Sequence, residues 1–260
     1  MKTIQNIEYK GTTVSVYDNK HEASVGVAQQ IADLVNARKA AGEKAVLGLA
    51  TGSTPIEVYS ELIRMHKEEG LSFQNVVTFN LDEYYPMEPT SKQSYVAFMR
   101  KHLFDHVDIV KGQINIPDGK IASEDIAAYC EAYEQKITSY GGLDLQLLGI
   151  GQTGHVGFNE PGSTLDSLMR LVELNDVTRR DAAVNFDGIT NVPTHAITMG
   201  VSTIAKAKKI ILMAWGENKA EIVQKALESE ITSDVPATYL QAFDGVEMVL
   251  DKGAAMKLKL

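Results

Sequence analysis

Two segments contain side chains whose types and spacing could move protons. In the glycine-rich segment 149–163, His155 precedes Glu160 by five residues. Histidine is the side chain best suited to exchange protons near neutral pH, and Glu160 is close enough in a folded loop to orient the imidazole. In the second segment, Asp82 and Glu83 lie together among aromatic residues. Partial burial there would raise a carboxyl pKa toward the value that a general base needs.

Both segments also have a purely structural interpretation. Adjacent carboxylates at a strand end often cap the next element, so Asp82 and Glu83 in isolation are better explained as a solvated turn. A lone histidine is usually structural, but the glycines around His155 permit tight turns and close approach of a ligand. They therefore favour catalysis. The glycine spacing of 149–154 leads into neither a clean helix nor a suitably placed acidic residue, which argues against dinucleotide binding.

Two further segments could bind an anion. In 51–55 (TGSTP), glycine and small hydroxyl residues would let backbone N–H groups face a phosphate at a helix N-terminus. The alternative is a capping box in which Thr54 caps the helix and pairs with Glu57. No Gly-Lys-Ser/Thr follows, so a nucleoside triphosphate is not implied. Lys219 is predicted in a first helical turn, where the dipole disfavours a cation, and either anion binding or simple solvation accounts for it.

The polar segments alternate with apolar runs and amphipathic stretches. The predicted strands cover 45–50, 76–81, 143–150, 196–199 and 210–215, and the predicted helices include 22–37, a stretch around 58–63, and 218–228. This order indicates an α/β, Rossmann-like fold with an open, mostly parallel sheet and helices on both faces. Ligands of such sheets bind beyond the carboxyl ends of the strands, which is where the polar segments fall.

Domain organisation and partners follow from composition. No linker divides the chain, so we expect a single domain over 1–260, with the irregular polar stretch 161–193 as a mobile flap. The formal net charge is −9, which argues against nucleic acid and anionic membrane surfaces. No segment approaches the roughly 20 apolar residues of a membrane span, and the N-terminus lacks the apolar run of a signal peptide. The single cysteine, Cys130, fits a reducing compartment, so we expect a cytoplasmic protein.

A metal site is not indicated. The six histidines show no ligand spacing beyond His102 and His106, and these lack the supporting acidic residues of zinc enzymes.

Taken together, these segments resemble the glucosamine-6-phosphate deaminase family over nearly the whole chain. The matching motifs are LGLATGSTP (47–55), VVTFNLDEY (76–84), FDHVDI (104–109), GIGQTGHVGFNEPGS (149–163), AITMG (196–200) and VPATYLQ (235–241). The most specific feature is DEY followed at a distance by GH-x-x-FNEP. The related 6-phosphogluconolactonases share the fold but differ in the loop after Gly-His.

The resemblance implies an enzyme that converts glucosamine 6-phosphate to fructose 6-phosphate and ammonia, with no metal or cofactor, in a homo-oligomer. Asp82 would move a proton between C2 and C1 of the opened sugar. His155 would open the pyranose ring, with Glu160 orienting it. The residues implied in binding the 6-phosphate are Gly52, Ser53, Thr54 and Lys219.

The chain departs from the family pattern at two positions of the site. Thr153 stands where the family loop Gly-x-Asp-Gly-His has its aspartate, so a hydroxyl replaces a charge beside the imidazole. Val184 stands where many members have an arginine directed at the phosphate, and Arg179 and Arg180 are the candidates to replace it.

Regulation and substrate choice stay open at the level of sequence. Arg170 corresponds to an arginine of the allosteric site in many members, but Val172 replaces the neighbouring lysine. A galactosamine-6-phosphate isomerase is the first alternative function. A lactonase-like hydrolase and a non-catalytic sugar-phosphate sensor follow.

Overall fold

A sheet of eight strands forms the centre of the molecule. The computed structural model describes residues 5–259; residues 1–4 and 260, and with them the start of the N-terminal stretch discussed above, lie outside the described part. The strands of this sheet are β1 (Gln5–Tyr9), β2 (Thr12–Tyr17), β3 (Ala45–Leu49), β4 (Val76–Asn80), β6 (Ile114–Asn115), β7 (Leu145–Gly149), β10 (Ile210–Ala214) and β11 (Val246–Asp251). Their order is β1-β2-β11-β10-β7-β3-β4-β6. Only the β1–β2 pair is antiparallel.

Helices cover both faces of this sheet. The helices of the described residues are α1 (Lys20–Ala40), α2 (Ile56–Glu69), α3 (Tyr95–His102), α4 (Ile126–Ser139), α5 (Asp176–Ala182), α6 (Val201–Ala205), α7 (Ala220–Glu228) and α8 (Lys252–Ala255), of which α5 packs by the smaller sheet described below. One apolar core joins α1, α2 and α3 to the sheet, and a second joins α4, α6, α7 and α8 to the opposite face. Because strands buried on both faces need apolar side chains throughout, β3 and β10 are buried along their whole length. The predicted α/β fold is confirmed.

A second, smaller sheet lies beyond the end of β4. Its strands are β5 (Asp82–Tyr85), β8 (Arg170–Glu173) and β9 (His195–Thr198), in the antiparallel order β5-β9-β8. The apolar run 196–199 therefore belongs to this sheet, and its assignment to the main parallel sheet is wrong. A run of four apolar residues carries no information about which strand it pairs with.

The stretch 161–193 contains β8, α5 and two 3₁₀ turns. Strand β8 pairs with β9 along its full length, and α5 begins with Asn175 as its N-cap. The stretch is thus more regular than its composition indicates. Its movement as a flap stays a prediction.

No helix within residues 5–259 has both the length and the apolar character needed to cross a membrane.

Candidate active site

A polar cavity of about 290 Å³ lies where β3, β4 and β7 end. Its walls come from six segments of the chain: Ala50–Thr54 after β3, the residues Leu81, Asp82 and Tyr84, Tyr95 of α3, the loop after β7, the inner side of α5, and Lys219 before α7. This is the edge at which parallel sheets bind their ligands, and it brings together Asp82, His155 and the 52–54 turn.

Asp82 is the first residue of β5, two residues beyond the end of β4. Its partner in the sheet is Thr198 on β9, and its side chain is buried with 6% exposure. Burial raises the pKa of Asp82 to about 7 because a low-dielectric surrounding disfavours the charged form. A carboxyl group that lines a cavity and titrates near neutrality is suited to accept a proton and return it. The solvated turn considered above is therefore wrong.

Glu83 has a different environment from its neighbour. Its carboxylate accepts backbone hydrogen bonds from Tyr84 at 3.0 Å and, at the start of α3, from Tyr95 at 2.8 Å and Val96 at 3.4 Å. Burial raises the pKa of Glu83 to about 8, opposed by these three donors. Glu83 does not line the cavity, whereas Tyr95 does. Its carboxylate therefore holds the N-terminus of α3 against β5.

His155 lies in the glycine-rich loop after β7 and lines the cavity. Its Nδ1 is 3.0 Å from Thr153 Oγ1 and 3.4 Å from Glu160 Oε2. The imidazole fills the space above Gly151, where a Cβ atom would come within 2.1 Å of the ring Cε1. Position 151 therefore requires glycine. Because Nδ1 is occupied by protein partners, Nε2 is the nitrogen left for a ligand.

Glu160 supports the imidazole from outside the cavity. Its Oε2 accepts a hydrogen bond from Asn175 Nδ2 at 2.6 Å and one from Thr153 Oγ1 at 3.4 Å. Burial alone would raise the pKa of Glu160, but hydrogen bonds and charge from His155, together with Thr178 and Thr153, lower it below the usual value. Glu160 is therefore a carboxylate at neutral pH, and it lies 3.4 Å from Nδ1 of the ring.

The 52–54 turn lines the same cavity as the His155 loop. Gly52 has a left-handed φ of +89°, which favours glycine. Helix α2 begins at Ile56 with Pro55 as its N-cap and no side-chain cap. Glu57 instead pairs with Lys20 at 2.6 Å, so the capping box is wrong. The first N–H groups of α2 have no side-chain acceptor at the cap, the arrangement in which helix N-termini bind anions.

Lys219 reaches the same cavity from the N-cap position of α7. Its Nζ donates to the carbonyl oxygen of Ile150 at 2.8 Å. Burial lowers the pKa of Lys219, and the negative charge of Asp181 opposes this effect. Asp181 also lines the cavity and accepts a hydrogen bond from Gln152 Nε2 at 3.1 Å. Within residues 5–259, Lys219 is the only lysine or arginine that lines this cavity.

The three arginines singled out from the sequence lie outside the cavity lining. Arg170 donates to Asn159 Oδ1 at 3.0 Å. Arg179 donates to two backbone carbonyls of the segment after α5. Arg180 is exposed, and so is Val184, at 83%. The structure therefore does not bring an arginine together with Lys219.

Sequence reasoning missed the inner side of α5. Asn175, Thr178 and Asp181 are spaced three residues apart, so they share one side of the helix. All three contact the His155 loop: Asn175 donates to Glu160, Thr178 Oγ1 is 3.5 Å from His155 Nδ1, and Asp181 accepts from Gln152. The regular spacing of these polar residues is the signal that could have revealed them.

Within the described chain, no group of three or more His, Cys, Asp and Glu side chains is placed to hold a metal ion.

Comparison with known proteins identifies the class that this fold and site define. Residues 18–249 match the family model described as glucosamine-6-phosphate isomerases/6-phosphogluconolactonase. The chain belongs to this family of sugar-phosphate enzymes.

Within the family, the similar curated proteins are named as deaminases. Glucosamine-6-phosphate deaminases of Clostridium botulinum and Bacillus pumilus are 45% and 44% identical, covering 95% and 88% of this chain and 99% and 94% of those proteins. A glucosamine-6-phosphate deaminase-like protein of Bacteroides thetaiotaomicron is 47% identical over 94% of this chain. The chain spans only 37% of the length of that protein.

Solved structures give the same grouping. A monomeric glucosamine-6-phosphate deaminase superposes with a TM-score of 0.89 at 42% identity, over 94% of this chain and 99% of that one. A 6-phosphogluconolactonase from Trypanosoma cruzi superposes with a TM-score of 0.76 at 20% identity, over 98% of this chain and 100% of that one. The second similarity establishes a shared fold.

Proposed function

We propose that the protein is a glucosamine-6-phosphate deaminase, which converts glucosamine 6-phosphate and water to fructose 6-phosphate and ammonia. The observation that carries this proposal is the single cavity lined by both Asp82 and His155. The two groups come from different elements and have different partners. Asp82 can exchange a proton on carbon, and His155 can exchange a proton on oxygen. The names and full-length coverage of the C. botulinum and B. pumilus relatives support the same activity.

In the first step, His155 opens the sugar ring. The imidazole Nε2 transfers a proton to the ring oxygen and takes up the proton of the C1 hydroxyl, the bond between C1 and the ring oxygen breaks, and C1 becomes an aldehyde. Glu160, a carboxylate 3.4 Å from Nδ1, keeps the ring oriented and stabilises its protonated form.

In the second step, Asp82 acts as base and then as acid. Its carboxylate takes the proton from C2 while His155 Nε2 donates a proton to the aldehyde oxygen, which gives an enolamine. Asp82 then returns its proton to C1, and the C2–nitrogen bond becomes an iminium double bond. Water adds to C2 and ammonia leaves, which produces the ketone and returns a proton to His155. A pKa of about 7 for Asp82 suits a group that must both take and release a proton.

The remote phosphate fixes the sugar for both steps. The 52–54 turn, which leads into the N-terminus of α2, and Lys219 line the cavity, and phosphate binding there would hold C1 and C2 close to Asp82. Such positioning contributes several kcal/mol to catalysis.

The decisive assay measures ammonia and fructose 6-phosphate released from glucosamine 6-phosphate, with galactosamine 6-phosphate in parallel. We expect equimolar release from the first sugar. Release from the second sugar alone would identify a galactosamine-6-phosphate isomerase. Binding of both without turnover would establish a sensor, and turnover of 6-phosphogluconolactone instead would establish a hydrolase.

We further propose that the protein acts in the cytoplasm and forms a homo-oligomer. The first rests on the single cysteine and the second on the resemblance to oligomeric family members. In contrast to the proposed oligomer, one solved relative is described as monomeric. Light scattering coupled to size-exclusion chromatography tests the assembly, and a mass of one chain would refute it.

A further inference from the structure

Asn175 uses both ends of its amide group. It is the N-cap of α5, and its Oδ1 accepts a hydrogen bond from the backbone N–H of Thr178 at 2.8 Å. Its Nδ2 donates to Glu160 Oε2 at 2.6 Å. An N-cap needs only the oxygen. The nitrogen is therefore free to make a second contact, and it makes this contact with the carboxylate behind His155.

The orientation of Glu160 depends on one oxygen. Oε2 receives the hydrogen bonds from Asn175 and Thr153 and faces His155 Nδ1. The other oxygen, Oε1, is buried and has no hydrogen-bond partner in the described structure. The contact with Asn175 is the shortest of the set. It holds the carboxylate without neutralising its charge because an amide is an uncharged donor.

The same helix closes one wall of the cavity. Thr178, Asp181 and Ala182 line the cavity, and they follow Asn175 on α5. A shift of α5 would therefore change the wall and move the donor to Glu160 together. Packed elements move as units. A movement of α5 would therefore be transmitted to the imidazole of His155 through Asn175 and its hydrogen bond to Glu160.

We propose that Asn175 is a positioning residue that couples the seating of α5 over the cavity to the orientation of the Glu160 carboxylate facing His155. In its rate measurements the inference rests on the proposed deaminase function. The NMR signal of the His155 ring provides a readout that is independent of turnover.

The key variant is Asn175→Ser. Serine is as good an N-cap as asparagine, but its hydroxyl is too short to cap α5 and reach Glu160 together. We expect a melting temperature close to wild type, kcat lowered about 10- to 100-fold with little change in KM, and a displaced pH–rate profile. Asn175→Asp also keeps the cap but sets a second carboxylate against Glu160, so we expect a larger loss of kcat.

Asn19 provides the matched control. It is the N-cap of α1, accepts a hydrogen bond from the backbone N–H of Glu22 at 3.0 Å, and does not line the cavity. Asn19→Ser therefore makes the same chemical change at another helix. We expect wild-type kcat and an unchanged pH–rate profile.

The measurement independent of turnover is the NMR signal of the His155 ring in protein labelled at histidine, assigned with His155→Gln. We expect Asn175→Ser to move this signal and Asn19→Ser to leave it in place. If the wild type turns over no sugar, the proposed function fails while this arm still tests the coupling. An unmoved His155 signal in Asn175→Ser would overturn the proposal. So would a fall in kcat that only accompanies a loss of folded protein.

Discussion

Asp82 and His155, the two groups proposed to transfer protons in the cavity, are held by parts of the molecule that are built in opposite ways. Asp82 lies on a strand, and burial alone raises its pKa to about 7. His155 lies in a glycine-rich loop, and its Nδ1 faces side chains from three positions, Thr153, Glu160 and Thr178. On the sheet side, burial thus sets the protonation of Asp82, and on the loop side, neighbouring side chains hold the ring of His155 in place. Substitutions on the two sides should therefore have different effects on activity and stability.

The largest expected effect is on kcat, and it differs between a substitution on the sheet side and one on the loop side. Asp82→Asn should lower kcat about 1,000-fold with little change in KM, because it removes the base that acts in the transition state. His155→Gln should lower kcat only about 100-fold, since the small open-chain fraction of the sugar bypasses ring opening. Steady-state kinetics with glucosamine 6-phosphate measures both. Equal losses, or losses in KM alone, would contradict the division of roles.

The second prediction concerns stability on the sheet side. The pKa of Asp82 is about 7 in the fold against 3.8 for the free side chain, so the folded state binds more protons between these values. The free energy of unfolding of the wild type therefore falls as pH rises through this window, whereas that of Asp82→Asn does not. At pH 8 the variant should be more stable by up to about 4 kcal/mol.

Urea unfolding of both proteins at pH 4 and pH 8 tests this prediction. The gap between the variant and the wild type should be near zero at the lower pH and large at the higher one. A gap of the same size at both values would mean that burial does not set the protonation of Asp82.

The third prediction concerns the proposed phosphate site, where Lys219 is opposed by Asp181. Lys219→Met should raise KM about 10- to 100-fold, because a charge-assisted hydrogen bond contributes roughly 1.5–3 kcal/mol. Asp181→Asn should lower KM by removing a negative charge that faces a dianion. Lys225→Met is the matched control, since Lys225 lies on α7 and pairs with Glu221 at 2.9 Å. A change in KM for the control equal to that for Lys219→Met would contradict the local role.

The smallest expected effect concerns the loop side. Thr153→Asp places a second carboxylate beside His155, where the hydroxyl now lies 3.0 Å from Nδ1. A carboxylate there favours the protonated imidazole, which is the proton donor in ring opening, so the alkaline limb of the kcat profile should move to higher pH by about one unit or less. The pH–rate profiles of variant and wild type give the comparison. An unmoved limb would show that position 153 is not coupled to the ring.

The sheet side was the part of the fold easier to predict. Apolar runs located β3, β4, β7 and β10 to within a few residues, because strands buried on both faces have a continuous apolar signal. The burial of Asp82 was not predictable from local sequence, since two adjacent carboxylates look like a solvated turn. Only their pairing with β9 buries them, and that pairing joins residues more than 100 positions apart.

The loop side was predictable in its residue types but not in its network. The glycine density pointed to His155 and Glu160, whereas Asn175 and Asp181 lay in a stretch expected to be irregular. Their role depends on where α5 packs, which is a tertiary property. The capping box predicted at Thr54 is wrong for a similar reason, because Glu57 forms an ion pair with Lys20 of α1 instead.

Proton NMR of glucosamine 6-phosphate in D₂O with the wild-type protein tests proton transfer by Asp82 most directly. We expect fructose 6-phosphate with deuterium at C1, formed together with ammonium, because the carboxyl group of Asp82 exchanges its proton with solvent before returning it. Unchanged glucosamine 6-phosphate, with no deuterium at C1 or C2, would contradict proton transfer on carbon in this cavity.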